Sequence, residues 1–264
     1  MIVEFIGAPG AGKTTLLPAA ADFFREQNRQ AFTIVAAARP FARRTIAGKV
    51  VHRLSPRPWR DPLLWQLFYR LSILYRLKFI ATHPQLIWQV ANYQRRRPAA
   101  ADVRQRKVLY WFYRLLGYYE FLRAHARPDE VLVFDEGFLH RVVQLFASSV
   151  EAPDEAQIDN YVALLPRPDL VVFVCASRDT CERRIYSRGL WERQRHKEPA
   201  EITQFVDNAH LAVERAVAHA RRKGWSVVEV DNERDDRTAA SAELRRQLAL
   251  VLPFVGAPLA LQTV

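Results

Sequence analysis

The chain alternates short apolar runs with longer stretches of helical periodicity, and this alternation predicts parallel strands joined by helices. Five apolar runs are predicted strands, at residues 2–6, 31–36, 131–134, 170–175 and 225–230. Helices are predicted at residues 14–27, 154–165, 179–188, 201–222 and 241–251. Over 264 residues, this order of elements is typical of one doubly wound α/β domain, so we expect a single domain over 1–264.

Residues 41–128 interrupt this alternation, because they contain no obvious strand and carry most of the aromatic side chains. Three helical blocks are predicted there, near 61–82, 84–96 and 104–127. The stretch 63–80 is apolar nearly all round, which is typical of a buried helix, while Arg70, Arg76 and Lys78 argue against a membrane span. We therefore predict a helical insert at about 41–128, after the second strand.

The first predicted strand leads into a glycine-rich loop, GAPGAGKT, which matches G-x-x-x-x-G-K-[ST] in full. The glycines let the backbone fold tightly, so that its N–H groups point at phosphate oxygens. Lys13 would reach the outer phosphates, and the Thr14 hydroxyl would bind Mg²⁺. The motif predicts a P-loop NTPase fold and a nucleotide site formed by Gly7, Ala8, Pro9, Gly10, Ala11, Gly12, Lys13, Thr14 and Thr15.

Two adjacent carboxylates, Asp135 and Glu136, follow the predicted strand 131–134. The carboxyl ends of parallel strands face the ligand crevice, so both side chains should lie near the phosphate loop. We predict that Asp135 holds Mg²⁺, directly or through water, and that Glu136 orients or deprotonates the nucleophile. Which of the two acts as the base stays open.

Arginines are concentrated in a segment that we predict to be a lid, at about 183–198. The sequence CERRIYSRGLWERQRHKE contains Arg183, Arg184, Arg188, Arg193 and Arg195. Arg184 and Arg188 are four residues apart and share a helix face, and Gly189 should end that helix. Mobile arginines above a phosphate loop can exclude water and neutralise charge on a transferred phosphoryl group. A solvated, charged helix face is the alternative.

Taken in order, GAPGAGKT, VFDEG and PDLVVFVCASRDTCERRIYSRG resemble the thymidylate kinase-like branch of the P-loop kinases. The likeness covers roughly residues 1–40 and 130–250. It implies ATP and Mg²⁺ as cofactors and phosphoryl transfer as the reaction. Arg184, Arg188 and Arg193 match the position of that family's catalytic lid arginines, with Arg183 on the nucleotide side. Asp231 falls where the family's adenine-side loop follows the last strand.

The chain departs from this family on the acceptor side. Asp135-Glu136-Gly137 replaces the family's Asp-Arg-aromatic triplet, so the arginine that grips the acceptor phosphate is missing there. Arg141, about one helical turn further on, is the predicted substitute, and Arg39 is the second acceptor-side candidate. The acceptor, which is nucleotide-like, sugar or lipid-linked, should lie against 41–128. Whether the aromatic side chains there form core or a binding surface stays open.

The composition limits the partners of the protein. The net charge is +11, which suits anionic substrates, nucleic acid or an anionic membrane surface. No recognised nucleic-acid-binding module is present, which disfavours nucleic acid. Two unpaired cysteines, Cys175 and Cys181, and the absence of room for a signal peptide predict a cytoplasmic protein, with peripheral membrane contact left open.

Two functions are compatible with these motifs. The first is an ATP- and Mg²⁺-dependent kinase that acts on a small-molecule acceptor. The second is a P-loop NTPase or nucleotide sensor without such an acceptor, because an Asp-Glu pair can also position a hydrolytic water. A switch protein of the second kind often receives its arginine from a partner, so the arginine-rich segment favours the kinase. The sequence does not predict the oligomeric state.

Overall fold

A computed structural model describes residues 1–96, 105–190 and 195–254, and a five-stranded sheet forms its centre. Strands β1 to β5 span Ile2–Ile6, Gln30–Thr33, Glu130–Phe134, Leu170–Cys175 and Val227–Asp231. Every neighbouring pair is parallel, and the strand order is β2-β3-β1-β4-β5. The predicted fold class is therefore confirmed: a P-loop NTPase-type α/β fold with five parallel strands flanked by helices.

Helices connect the strands of this sheet. In the described ranges, helices α1 to α11 span Lys13–Glu26, Ile34–Arg44, Ile46–Leu54, Arg57–Thr82, Pro84–Arg96, Gln105–His125, Arg141–Phe146, Glu155–Leu164, Arg178–Arg188, Pro199–Arg222 and Arg237–Val251. A 3-10 turn, Leu252–Phe254, follows α11. Helices α2 to α6 all lie between β2 and β3 in the chain, and α4, α5 and α6 confirm the three predicted helical blocks.

The second strand is shorter than predicted. β2 ends at Thr33, and the predicted strand residues 34–36 belong to α2 instead. The Thr33 hydroxyl accepts a hydrogen bond from the Ala36 N–H at 3.3 Å, so Thr33 caps the helix at its N-terminus. Because of this cap, the apolar residues 34–36, whose pattern predicts a strand, form the first turn of α2 instead.

The sheet has a hydrophobic layer on each face. Val3 and Phe5 of β1 pack into one layer, which includes residues of α1 and α11. Ile6 belongs to the other layer, which is formed mainly by α2, α4, α6, α7 and α10. Side chains alternate between the two faces along a strand, so Glu4 lies on the same side as Ile6, where it is buried.

Helix α4 is only half covered, which corrects the expectation of a fully buried helix. Leu64, Phe68 and Phe79 are buried against the neighbouring helices, whereas Leu74 and Leu77 are exposed. Among the described helices, none combines the length and the apolar character needed to cross a bilayer.

The aromatic side chains of this helical segment divide between core and surface. Phe68, Phe79, Phe112, Tyr119 and Phe121 are buried, and the Phe68–Phe121 and Phe79–Tyr119 ring pairs meet edge to face. The exposed ones are Trp59, Tyr69, Trp88, Tyr110 and Trp111. The sequence leaves open whether these aromatic side chains form core or a binding surface. In the structure, some form core and others are exposed.

Candidate active site

The phosphate loop connects β1 to α1 and is stabilised by its own backbone. The Ala11 N–H donates to the Ala8 carbonyl at 3.1 Å. Gly12, which precedes the first helical residue, has φ +94°, in the left-handed region that favours glycine. A Cβ at this position would lie 2.1 Å from Nδ2 of Asn232, so a side chain is excluded for steric reasons too.

Lys13 points into this loop. Its Nζ donates to the carbonyl oxygens of Gly7 and Ala8, at 2.8 and 3.2 Å. Burial lowers the pKa of Lys13 to about 8, and the opposing field of Glu136 is the largest influence in the other direction. The ammonium group thus lies in the loop, close enough to the predicted carboxylates to be affected by them.

The other predicted loop residues occupy distinct positions. Ala8, Pro9 and Ala11 are buried, whereas Thr14 and Thr15 are exposed on the first turn of α1. The Thr14 hydroxyl is therefore accessible at the positive end of that helix, where phosphate and its metal ion bind in loops of this kind.

A cleft of about 360 Å³ opens above the loop. Seven of its lining residues are sequence-predicted: Gly10, Gly12, Lys13, Thr14, Thr15, Arg184 and Arg188. The others come from α9 and from the segment after β5: Ser187, Asn232, Arg234, Asp235 and Arg237. The loop, α9 and the segment after β5 together form a polar, cation-rich cleft, which we call the donor cleft.

Arg184 ties the walls of the donor cleft together. Its Nε donates to Oδ1 of Asp235 at 2.9 Å, and its Nη2 donates to the Asn232 carbonyl at 2.9 Å. A longer contact, 3.4 Å, joins its Nη1 to the Gly10 carbonyl. Arg184 therefore fixes α9 to both the phosphate loop and the segment after β5.

The remaining predicted lid arginines differ in placement. Arg188 lines the donor cleft. Arg183 does not line it and forms an exposed ion pair with Asp235 at 3.1 Å. Arg195 donates from Nε to the Leu190 carbonyl at 3.4 Å. Arg193 lies outside the described residues, so the structure says nothing of its proposed role.

Asn232, which sequence reasoning missed, contacts the phosphate loop directly. Its Nδ2 donates to the Ala11 carbonyl at 2.7 Å, and the side chain is buried. The predicted neighbour Asp231 does not line the donor cleft; it ends the edge strand β5, is exposed and accepts from the Glu233 N–H at 2.9 Å. The only signal was the position of Asn232 next to a predicted strand end.

The two carboxylates lie at the carboxyl edge of the sheet, as predicted. Phe134 pairs with Glu4 of the central strand, so Asp135 and Glu136 follow β3 at the level where β1 leads into the phosphate loop. Burial, then the neighbouring Glu136 charge, raises the pKa of Asp135. The two adjacent carboxylates repel each other, and a bound cation would reduce this repulsion.

The donor groups present fit magnesium. Mg²⁺ prefers oxygen ligands and is usually held by one or two carboxylates together with substrate phosphates. The Thr14 hydroxyl and the Asp135 carboxylate supply such oxygens. Within the described ranges, no cluster of three or more His, Cys, Asp or Glu side chains is placed to hold a metal ion.

A second cleft, of about 280 Å³, has the carboxylate pair in its lining. It is lined by Ile34, Val35, Trp111, Arg114, Leu115, Tyr118, Asp135, Glu136 and Arg141. The Arg114 guanidinium lies 4.9 Å from the centre of the Trp111 ring, and its Nε donates to the Tyr118 hydroxyl at 2.9 Å. We call this the acceptor-side cleft.

The two predicted acceptor-side arginines have different positions. Arg141 is buried in the wall of the acceptor-side cleft and forms an ion pair with Glu136 at 3.4 Å. Arg39 lines neither cleft, because it lies on an exposed face of α2, where its Nη1 bonds Asp61 of α4 at 2.7 Å. The structure thus places Arg141 beside the carboxylates and leaves Arg39 in a surface ion pair.

A buried carboxylate supports the segment that follows the pair. Glu4 accepts from the backbone N–H groups of Phe138 and Leu139, at 3.2 and 2.9 Å. Burial raises the pKa of Glu4 to about 7 in spite of these hydrogen bonds. A Cβ on Gly137 would lie 2.4 Å from the carboxyl carbon of Glu4, so only glycine allows this approach.

Comparisons with known proteins give likenesses to solved structures only. No protein-family model and no curated protein matches the sequence. A deoxyadenosine kinase from M. mycoides, with products dCMP and a flexible dCDP bound, is 12% identical, covers 95% of this chain and 100% of its own, and has a TM-score of 0.44. The same enzyme with bound dATP is 14% identical, with coverages of 97% and 100% and a TM-score of 0.41. Since these scores lie below 0.5, the fold assignment rests on the strand order and phosphate loop of the chain itself.

Proposed function

We propose that the protein is an ATP- and Mg²⁺-dependent kinase that transfers the γ-phosphate to a small-molecule acceptor. The observation that carries the proposal is the position of Asp135 and Glu136. They line the acceptor-side cleft and also influence the pKa of Lys13, which lines the donor cleft. Because the carboxylates also follow β3 at the sheet edge where β1 leads into the phosphate loop, a phosphate held at Lys13 would lie at the same edge as an acceptor bound beside them.

Each residue has a role in this scheme. The loop N–H groups and Lys13 bind the triphosphate, and Arg188 lies where it can neutralise charge on the transferred group. Thr14 and Asp135 would hold Mg²⁺, which neutralises phosphate charge when bound. Glu136, the more exposed carboxylate, would orient or deprotonate the acceptor hydroxyl.

The acceptor-side cleft suggests the chemistry of the acceptor. Trp111 and Tyr118 offer aromatic faces for a planar or sugar ring. Arg114 and Arg141 would favour an anionic group. A nucleotide-like or phosphorylated sugar acceptor fits these contacts, and so does a lipid-linked one whose polar end reaches Glu136.

An acceptor screen tests the proposal. The protein is incubated with ATP, Mg²⁺ and nucleosides, nucleotides, sugar phosphates or polyprenols, and products are detected by mass spectrometry and ³¹P NMR. Transfer should occur with one class and disappear in Lys13→Ala, whereas Lys223→Ala, on the exposed end of α10, should leave it unchanged. Steady ATP hydrolysis that continues without phosphoryl transfer to any acceptor would instead favour the NTPase or nucleotide sensor.

Two further variants separate the roles of the carboxylates. Asp135→Asn should raise the Mg²⁺ concentration needed for half-maximal rate. Glu136→Gln should lower kcat at saturating Mg²⁺ by about 10²-fold or more, the usual contribution of a general base. The opposite pattern would exchange the two assignments without affecting the proposed reaction class.

A further inference from the structure

The net positive charge of the protein comes from one part of the chain. Residues 27–119 contain 18 Lys and Arg but only two acidic residues, Asp61 and Asp102, a net charge of +16. The net charge of the whole chain is +11, so the remaining residues carry −5. The excess charge therefore belongs to the helical segment between β2 and β3, not to the domain that carries the phosphate loop.

Within this segment, α3 exposes apolar side chains that an ordinary surface helix would bury. Ile46, Val50 and Leu54 follow one another at four-residue intervals, so they form one stripe along the helix. They are 84%, 50% and 79% exposed. Trp59, in the first turn of α4, is 62% exposed.

The opposite face of α3 packs closely against α2. Gly48 is buried, and a Cβ there would lie 1.9 Å from the Ala42 carbonyl of α2. This contact fixes the orientation of the helix, so the apolar stripe stays turned outwards. Among the described residues, no element covers that stripe.

Basic side chains flank the stripe. Lys49 and Arg53 are exposed on the same helix, three residues after Ile46 and three after Val50, and Arg43 and Arg57 are exposed at either end of it. None of these four forms an ion pair with an acidic side chain of the described ranges. Together with Ile46, Val50, Leu54 and Trp59 they form what we call the α3 surface.

We propose that the α3 surface docks the protein on a bilayer that contains anionic phospholipids. Basic groups beside a stripe of Leu, Ile and Trp are the features of a helix that lies in the membrane interface. Lys and Arg are attracted by the lipid phosphates, while the apolar side chains enter the region below the headgroups. Nucleic acid would satisfy the charges but not the apolar stripe, so the combination favours a membrane. This proposal does not depend on the proposed kinase activity.

Vesicle flotation tests the proposal on the full chain. The probes are vesicles of phosphatidylcholine alone and of phosphatidylcholine with about 30% phosphatidylglycerol, whose headgroup is anionic. Binding should require the anionic lipid and should weaken as ionic strength rises, because salt screens exposed charges. Equal binding to both vesicles, or none to either, would overturn the proposal.

Matched variants locate the contact. Lys49→Glu should weaken vesicle binding about fivefold or more, and Leu54→Ser about tenfold. The same substitutions at exposed positions outside the α3 surface, Lys223→Glu and Leu250→Ser, should have no effect. All four side chains are exposed, so circular dichroism should show that every variant folds.

Three other outcomes would identify a different partner and overturn the proposal. The first is binding of an oligonucleotide that competes with vesicles and whose affinity Leu54→Ser does not change. The second is a dimer in sedimentation that Leu54→Ser dissociates. The third is binding of free inorganic phosphate in the absence of any vesicle binding. Phosphoryl transfer measured without vesicles should be the same for Lys49→Glu, Leu54→Ser and the parent protein. Failure of vesicle binding can therefore be told apart from failure of the kinase proposal.

Discussion

The buried carboxylate of Glu4 should make the stability of the fold depend on pH, and Glu4→Gln should remove that dependence. Glu4 is 1% exposed, and burial raises its pKa from 4.5 to about 7. In the unfolded chain the same carboxyl ionises near 4.5. Between these values the native state holds a proton that the unfolded state has released, so the free energy of unfolding falls as the pH rises.

The size of this effect follows from the same two values. A shift from 4.5 to about 7 corresponds to roughly 3 kcal/mol of stability, which is present below pH 4.5 and lost by about pH 7. Gln cannot ionise, so this contribution is absent in the variant. The amide would present its NH₂ group, which cannot accept, to one of the two N–H donors of Phe138 and Leu139, so about 1–3 kcal/mol is lost at all pH values.

Urea unfolding at intervals from pH 4.5 to pH 8.5 measures the difference. Relative to the parent protein, Glu4→Gln should be less stable at pH 4.5 and should gain about 3 kcal/mol on the parent by pH 8. Glu214→Gln, on the exposed side of α10, is the matched control and should give a constant difference. If the difference for Glu4→Gln were also constant with pH, the carboxyl would not be held in its neutral form by burial, and the reasoning would be wrong.

Three further outcomes are expected. Gly137→Ala should destabilise the fold by about 1–3 kcal/mol in thermal unfolding, and by much less in a Glu4→Ala background, because its Cβ collides with the Glu4 carboxyl. Asn232→Ala should raise the KM for ATP about tenfold with a smaller change in kcat, since it leaves the Ala11 carbonyl without its donor. Calorimetry should show weaker ATP binding as the pH rises through about 8, where Lys13 loses its proton, and no such step in Lys13→Ala.

The sequence predicts best those elements whose signals are local. β4 lies at the predicted residues 170–175, where a continuous apolar run follows Asp169 and precedes Ala176-Ser177. The phosphate loop is also local, since eight consecutive residues carry the motif. The sequence predicts β2 too long because the Thr33 cap, a single side-chain hydrogen bond, decides between strand and helix.

Parts of the candidate site depend on contacts between distant residues, and these are not visible in the sequence. Asn232 reaches a loop carbonyl 221 residues earlier in the chain. Glu4 stands in the sequence as one acidic residue in an apolar strand, and its role arises when the segment after β3, 134 residues later, meets it. Periodicity gives no information about such pairs, because they depend on strand order and register.

The basic side chains of the clefts and those of the α3 surface differ in whether they are paired with carboxylates. This difference distinguishes a binding site from a docking surface. In the clefts, the Arg184 and Arg141 guanidiniums are already paired with Asp235 and Glu136. Such pairs hold the donors in fixed directions before a phosphate arrives, which is the condition for electrostatic catalysis. Lys49 of α3 has no acidic partner in the described ranges and remains exposed, so its charge acts at long range on an extended anionic surface. The paired arginines of the clefts therefore fit the proposed phosphoryl transfer, whereas Lys49, unpaired among the residues that the structure describes, fits the proposed attraction to an anionic surface.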